Sequence, residues 1–231
     1  MNMKSLEGQK VAVLLETEFI PDEIAAYQTR FAAVGATVHL MSRLWGNSSV
    51  RFVSDVDRVG ESPVYLDVAI DFQDVNVDEY AAVIMAANYT SVRLRYFQPV
   101  AGQPIAAAQV RTAPAVQLFA KAMANPRIIK GFLCHGLWIL TPVPELLQGR
   151  RVICHEVVLA DIVNAGAIYV PAPNHIVVDG DMVTGRSGQD VDAFIEAIVG
   201  QIQHVQQGFP LLSYEQTLRQ LEATKLQASF T

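Results

Sequence analysis

A cysteine and a histidine follow directly after an apolar stretch in the middle of the chain. Residues 128–133 read IIKGFL, and the next three are Cys134, His135 and Gly136. In a nucleophile elbow, a strand delivers the reactive side chain into a strained turn, so residues two or three positions away have to be small. Gly131 and Gly136 meet that requirement. The spacing predicts that Cys134 is a nucleophile on a strand-to-helix turn.

Such a turn gives two reasons to expect a low pKa for the Cys134 thiol. Unpaired backbone N–H groups and the positive end of a following helix dipole both favour the thiolate. A protonated His135 would add a positive charge beside the sulfur. The alternative is that Cys134 is a small buried hydrophobic residue, as most free cysteines are. The preceding strand, the two glycines and the adjacent histidine favour the reactive interpretation.

The composition excludes several classes of protein. The chain has 231 residues, of which 51% are hydrophobic and 17% charged, enough for the core of one large α/β domain. A net charge of −6 and the lack of a Lys/Arg cluster argue against nucleic acid as a partner. We expect a cytoplasmic protein without a membrane partner, because no export signal and no long apolar stretch is found. Cys134 and Cys154 are expected to be free thiols, and no spacing of Cys or His predicts a metal site.

Segments with the pattern of buried strands alternate with segments of helical spacing. This alternation predicts an α/β fold with a doubly wound, mainly parallel sheet and helices on both faces. Cys134 would then lie at the carboxyl ends of the strands, where such sheets place their sites. The predicted core strands are 10–15, 37–42, 81–86, 127–133 and 150–154, and the predicted helices lie around 24–34, 113–124, 136–147, 157–165 and 190–207.

Two further regions depart from that alternation. The polar stretch 43–78 contains two alternating segments, which predict an antiparallel hairpin inserted into the domain. Asp179-Gly180 predicts a tight turn between two short strands. We expect one domain over residues 1–207 and a C-terminal extension, 208–231, that forms a short helix.

Several ordered motifs resemble the ThiJ/PfpI family. They are GFLCHGLWIL, then L-x-G-R-R-V-x-x-H at 147–155, ADIVNAGAIYV, IVVDGDMVTGR, and a helix that opens DVDAFIEAIV. The resemblance covers approximately residues 8–200. It implies a flavodoxin-like three-layer sandwich close to the class I glutamine amidotransferases, with the nucleophile elbow at Cys134.

The resemblance also implies roles for side chains around the sulfur. Cys134 matches the nucleophile, and His135 matches the residue after it in the peptidase-like branch. Glu23 matches an acid that stays protonated beside the thiolate and donates a hydrogen bond to it. The alternative for Glu23 is a first-turn acid that interacts with the helix dipole. His155 matches a histidine that serves as a general base or holds the substrate, unless it is simply satisfied at a strand end.

Two positions depart from the family pattern. The family usually has Pro-Gly-Gly where this chain has Ala86-Ala87-Asn88. Asn tolerates a positive φ, so the N–H groups of Asn88 and His135 are the predicted oxyanion hole. Val92 occupies the position of a glutamate that completes a Cys-His-Glu triad across a subunit interface. A valine cannot orient His135, which weighs against peptidase activity.

We therefore expect a cysteine-dependent enzyme, a hydrolase or lyase, that acts on a small carbonyl substrate such as a 2-oxoaldehyde, as a glyoxalase or deglycase does. It should need no cofactor and no metal, and family members suggest a homo-oligomer, a dimer or larger. Two alternatives stay open. One is an intracellular cysteine peptidase or amidase of the PfpI type, and the other is a redox sensor or chaperone that uses oxidation of Cys134.

Overall fold

The computed structural model describes residues 5–56 and 60–228, with the backbone alone for 223–228. The parts of the predicted domain 1–207, insertion 43–78 and extension 208–231 that fall on residues 1–4, 57–59 and 229–231 lie outside the described residues. The strands are β1 (Lys10–Leu14), β2 (Thr37–Met41), β3 (Val50–Val53), β4 (Tyr65–Val68), β5 (Ala82–Met85), β6 (Ile129–Leu133), β7 (Arg151–Val152), β8 (Ile168–Tyr169), β9 (Ile176–Asp179) and β10 (Met182–Gly185). The α-helices are α1 (Pro21–Ala33), α2 (Thr90–Leu94), α3 (Ala107–Val110), α4 (Pro114–Ala124), α5 (Glu156–Asn164), α6 (Val191–Gln206) and α7 (Tyr214–Ala228).

The central sheet is mostly parallel, as the alternation predicts. Its six strands follow the order β2-β1-β5-β6-β10-β9, and β9 alone among them runs antiparallel to its neighbour. Met85 pairs with both Leu14 and Phe132, and Gly185 pairs with Leu133. The parallel strands therefore end at one edge of the sheet, and Cys134 follows there directly after β6.

Helices cover both faces of the sheet, and two successive residues of β6 show this. Gly131 faces α6 so closely that an added Cβ would lie 2.8 Å from Ile198 Cδ1 and 2.9 Å from Phe194 Cζ. Phe132 points to the opposite face, since side chains alternate along a strand. Its ring centroid is 5.4 Å from that of Phe119 on α4. The three-layer flavodoxin-like sandwich is confirmed, and Gly131 is explained by helix packing rather than by the turn at Cys134.

The segment after Cys134 differs from the prediction. We expected one helix through Leu147, but the chain forms two short 3₁₀ helices, Gly136–Leu140 and Pro144–Leu146. The physical reason is Pro142 and Pro144, which lack the N–H groups that an α-helix requires.

The predicted strand 150–154 is also shorter than expected. Only Arg151 and Val152 form β7, which pairs with β8 in a separate two-stranded sheet. Cys134 and Cys154 therefore do not lie on neighbouring strands of the central sheet, although both are free, buried thiols.

The hairpin and the C-terminal segment attach to this sandwich. β3 and β4 pair antiparallel, as the alternation within 43–78 predicts. Before α7, the backbone docks on the β9–β10 turn, where the Gly180 N–H donates to Leu212 O at 2.9 Å and the Tyr214 N–H to Asp179 Oδ1 at 2.9 Å. None of the helices in the described residues combines the length and apolar character needed to cross a bilayer.

Candidate active site

Cys134 occupies a backbone conformation that non-glycine residues seldom adopt. Its φ is 57°, in the left-handed region. Two backbone hydrogen bonds hold it there: the Cys134 N–H donates to Gly185 O at 2.8 Å, and its carbonyl accepts from the His155 N–H at 3.3 Å. The next turn passes so close to β5 that a Cβ on Gly136 would lie 3.0 Å from Met85 O. Such strain persists where the surroundings enforce it, which is common at functional sites.

Asn88 also adopts the left-handed conformation, with a φ of 63°. Its side-chain amide fixes the loop after β5, because Nδ2 donates to Glu18 O at 2.9 Å and to Asp55 Oδ2 at 2.6 Å. In this arrangement the backbone N–H groups of Asn88 and His135 both act on the Cys134 sulfur and favour its ionised form. The loop thus brings together the two donors predicted for an oxyanion hole.

Glu23 lies in the first turn of α1 and is only 1% exposed. Its Oε1 accepts a hydrogen bond from Tyr27 Oη at 2.7 Å, and the Ala87 N–H lies 3.0 Å from Oε1 and 3.1 Å from Oε2. Burial raises the pKa of the Glu23 carboxyl to about 7, although both donors pull the pKa down. An acid that served only the helix dipole would be exposed, so this carboxyl belongs to the buried site.

The expected low pKa of Cys134 is wrong. Burial raises the pKa of the thiol to about 12, and the charge of Glu23 acts in the same direction. Only the two backbone N–H groups described above act against that rise. The short 3₁₀ helix that follows Cys134 supplies little of the dipole that the sequence led us to expect. Among the described residues, Glu23 influences the sulfur through its charge and not through a hydrogen bond.

His135 is buried, with 8% of its surface exposed, and neither ring nitrogen has a hydrogen-bond partner among the described residues. Burial lowers the pKa of its imidazole to about 4, and the neighbouring His155 contributes in the same direction. His135 is therefore neutral at pH 7, so the positive charge expected beside the sulfur is absent. Its ring stacks on Trp138 at a centroid distance of 5.2 Å and lies 5.4 Å from Tyr89.

His155 meets His135 edge to face, at a centroid distance of 5.1 Å. It is also the N-cap of α5, because Nδ1 accepts a hydrogen bond from the Val157 N–H at 3.3 Å. Because Nδ1 accepts this bond, Nε2 is the ring nitrogen that can carry a proton. The described residues hold no group of three or more His, Cys, Asp or Glu side chains arranged to hold a metal ion.

The site also contains side chains that were not predicted from the sequence. Tyr27 lies four residues after Glu23, one helical turn away, and that spacing was the signal that could have found it. Ser91 Oγ donates to His135 O at 3.0 Å, and Trp138 Nε1 donates to Asp161 Oδ2 at 2.7 Å, which fixes the ring under His135. These two hydrogen bonds join segments that are distant in the sequence, so no local pattern predicted them.

Similar sequences and structures agree with the predicted family. Residues 102–201 match the sequence profile of the DJ-1/PfpI family. A deglycase of Pyrococcus abyssi is 26% identical over 140 residues, which are 61% of this chain and 73% of that protein. YraA of Bacillus subtilis, which its name proposes to be a cysteine protease, is 34% identical over 76 residues, or 33% of this chain and 43% of that protein.

The solved structures agree on the fold. One of them is a two-domain protein of Anabaena variabilis with DJ-1/ThiJ/PfpI-like and ferritin-like domains, which superposes with a TM-score of 0.68 at 20% identity. The match covers 87% of this chain and 48% of that protein, so the chain spans about half its length. This likeness shows the fold, and the matched sequence profile makes residues 102–201 similar to the DJ-1/PfpI family.

Proposed function

We propose that this protein is a cysteine-dependent enzyme that acts on small carbonyl substrates, in the manner of a glyoxalase or deglycase, with Cys134 as nucleophile. The observation that carries the proposal is the surroundings of the sulfur. Cys134 sits on a strained turn, with the N–H groups of Asn88 and His135 facing it and the buried Glu23 beside it. The match of residues 102–201 to the DJ-1/PfpI family and the similarity to a deglycase give further support.

In the first step, the sulfur adds to the aldehyde carbon. A C–S bond forms, the carbonyl oxygen becomes an alkoxide, and the thiol gives up its proton. The N–H groups of Asn88 and His135 can stabilise the negative charge as it moves from sulfur to oxygen. Such donors accelerate the step because they are already in place and need no reorganisation.

Glu23 is the group best suited to receive the thiol proton. The resemblance implied a protonated Glu23 that donates to a thiolate, but Tyr27 and Ala87 both donate to this carboxylate and support its ionised form. With a pKa of about 7, it is a stronger base than an ordinary carboxylate and is about half ionised at neutral pH.

The two histidines are the proposed route for protons to and from the substrate oxygen. His135 is neutral and lies against the Asn88 backbone, so its ring can donate or accept a proton at the alkoxide. His155 lies against its edge and is part exposed, so it can exchange protons with water. We further propose a cytoplasmic homo-oligomer, a dimer or larger, whose reaction needs no cofactor.

The test is methylglyoxal consumption by matched variants. We expect Cys134→Ser to lose the activity and Cys154→Ala to retain it, because Cys154 is a buried thiol outside the proposed machinery. Circular dichroism would establish that both variants are folded. A wild-type protein with no consumption above background, or a Cys134→Ser variant as active as the wild type, would refute the proposal.

A second candidate is a cysteine peptidase or amidase of the PfpI type, which the similarity to YraA favours. Val92 argues against it, because no acid at that position can orient His135. A panel of fluorogenic peptides decides the matter. Turnover that disappears in Cys134→Ser would support the peptidase, and no Cys134-dependent turnover would exclude it.

A further inference from the structure

A cavity of about 320 Å³ opens near the carboxyl edge of the sheet. Glu16, just after β1, and Arg43, just after β2, supply its charged groups. Its apolar wall comes from α2 and the residues that follow it, chiefly Val92, Leu94 and Tyr96. The volume is at the lower end of the range for small-molecule sites, so it suits a ligand about the size of an amino acid.

Glu16 brings a partly exposed carboxyl group to this cavity. Its Oε2 is buried without a hydrogen-bond partner among the described residues. The nearest cation is Arg93, whose Nε lies 3.6 Å from Glu16 Oε2 but donates to Glu18 Oε2 at 2.9 Å. Arg93 thus lies between two carboxylates, and its ion pair with Glu16 is the longer of the two. A ligand with an ammonium group would satisfy Glu16 and leave the pair of Arg93 and Glu18 intact.

Arg43 brings a guanidinium group to the same cavity. Its Nε is buried and has no hydrogen-bond partner in the described part of the chain. The guanidinium carbon lies 3.8 Å from the ring centroid of Trp45, which keeps the group in place by a cation–π contact. A guanidinium held in this way is suited to receive a carboxylate.

Trp45 adds an independent sign of a ligand site. The indole is 59% exposed, and its backbone has a φ of 55°, which is a real outlier for a bulky residue. The turn is enforced from both sides, because the Leu44 N–H donates to Asp71 Oδ2 at 2.9 Å and the Asn47 N–H to Leu44 O at 3.0 Å. An exposed aromatic ring in an enforced, strained turn has a cost in stability that a binding role would explain.

We propose that this cavity binds a small zwitterion, an amino acid with an apolar side chain, as a second ligand of the protein. Its ammonium group pairs with Glu16, its carboxylate with Arg43, and its side chain contacts the apolar wall. The cavity is coupled to the proposed active site through Glu18, which pairs with Arg93 and whose carbonyl accepts the Asn88 amide. The binding itself does not depend on the chemistry of Cys134.

Isothermal titration calorimetry with three matched probes tests the assignment. L-leucine carries both charges, isocaproate lacks the ammonium group, and isoamylamine lacks the carboxylate. We expect Glu16→Gln to weaken L-leucine on the order of ten- to a hundredfold and to leave isocaproate unchanged. Arg43→Gln should weaken L-leucine and isocaproate and leave isoamylamine unchanged. Glu196→Gln, at an exposed position on α6, is the matched control and should bind like the wild type.

The proposal is overturned if L-leucine gives no binding heat at millimolar concentration, or if Glu16→Gln and Glu196→Gln bind it equally. Cys134→Ser separates this site from the proposed active site. We expect that variant to bind L-leucine like the wild type even though it cannot turn over a carbonyl substrate. Loss of binding in Cys134→Ser would place the ligand at the cysteine and contradict the second site.

Discussion

Tyr27 Oη donates a 2.7 Å hydrogen bond to Glu23 Oε1, and both side chains are buried within α1 beside the Cys134 sulfur. This bond favours the ionised carboxylate at a place where burial opposes it. Burial and the hydrogen bond together leave Glu23 with a pKa of about 7, in the range where a general base is most effective. The hydroxyl of Tyr27 is thus a positioning group for the proposed base.

Tyr27→Phe should shift the pH dependence of the reaction. Without the donor, the Glu23 carboxylate loses stabilisation, so its pKa rises and the acid limb of kcat/KM moves to higher pH by about one unit. The fold should lose about 1 kcal/mol of stability, since the ring is retained. A pH–rate profile and urea unfolding measure the two effects. An unmoved acid limb would show that Glu23 is not the titrating base.

The raised pKa of Glu23 also predicts how stability depends on pH. The folded protein holds the Glu23 proton more tightly than the unfolded chain, whose carboxyl has a pKa near 4.5. The stability from this group is therefore full below pH 4.5 and declines as the pH rises through about 7, by on the order of 3 kcal/mol.

Glu23→Gln isolates that contribution from the other carboxyl groups, because the amide does not titrate. We expect the difference in unfolding free energy between wild type and Glu23→Gln to change across this pH window and to be flat above it. Urea unfolding at closely spaced pH values provides the data. If the unfolding free energies of the two proteins changed in parallel from acid to neutral pH, the raised pKa of the buried Glu23 carboxyl would be contradicted.

Part of this arrangement could be predicted from the sequence. The core strands and the place of Cys134 follow from apolar runs, because buried parallel strands are apolar throughout. The family motifs identified Glu23, and the tolerance of Asn for a positive φ identified Asn88. The pKa values could not be predicted, because they depend on burial and on contacts such as the one between Glu23 and Ala87, which lie 64 positions apart. The 3₁₀ helices after Cys134 were foreseeable from Pro142 and Pro144.

The side chain of Asn88 should affect stability and activity because it fixes the backbone of its loop. Asn88→Ala removes the hydrogen bonds to Glu18 and Asp55. The alanine would also have to adopt a φ of 63°, a left-handed conformation that Asn tolerates better than Ala does. We expect a loss of about 2 to 3 kcal/mol in stability and about tenfold in kcat/KM. Asn88→Gly accepts the backbone conformation and should lose less stability. If the alanine variant were as stable as the glycine variant, the backbone at position 88 would not be strained.

Gly131 tests the packing of α6 on the sheet. Gly131→Ala would place a methyl group against Phe194, Ile198 and Ile84, at 2.9, 2.8 and 3.1 Å, so we expect a loss of about 1 to 3 kcal/mol by urea unfolding. Gly200→Ala, on α6 itself, is the matched control, since its new methyl group meets nothing within 4 Å. It should be neutral or stabilise by about 1 kcal/mol. Equal effects of the two substitutions would contradict the close approach at Gly131.

Cys134 should react slowly with peroxide. The thiolate is the species that is oxidised, and burial keeps the pKa of this thiol near 12. We expect mass spectrometry after mild peroxide treatment to find Cys134 largely unmodified while the part-exposed Met123 gains oxygen. Rapid conversion of Cys134 to sulfinic acid, together with altered binding partners, would instead favour the redox-sensor alternative.

The central claim is that the Cys134 sulfur adds to an aldehyde carbon. NMR spectroscopy of methylglyoxal with an isotope-labelled aldehyde carbon observes that step directly, because a carbon bound to sulfur and oxygen resonates apart from the free aldehyde and its hydrate. We predict such a resonance with the wild-type protein and with Cys154→Ala, and its loss with Cys134→Ser. A resonance that is absent from the wild type, or that persists unchanged in Cys134→Ser, would contradict the account.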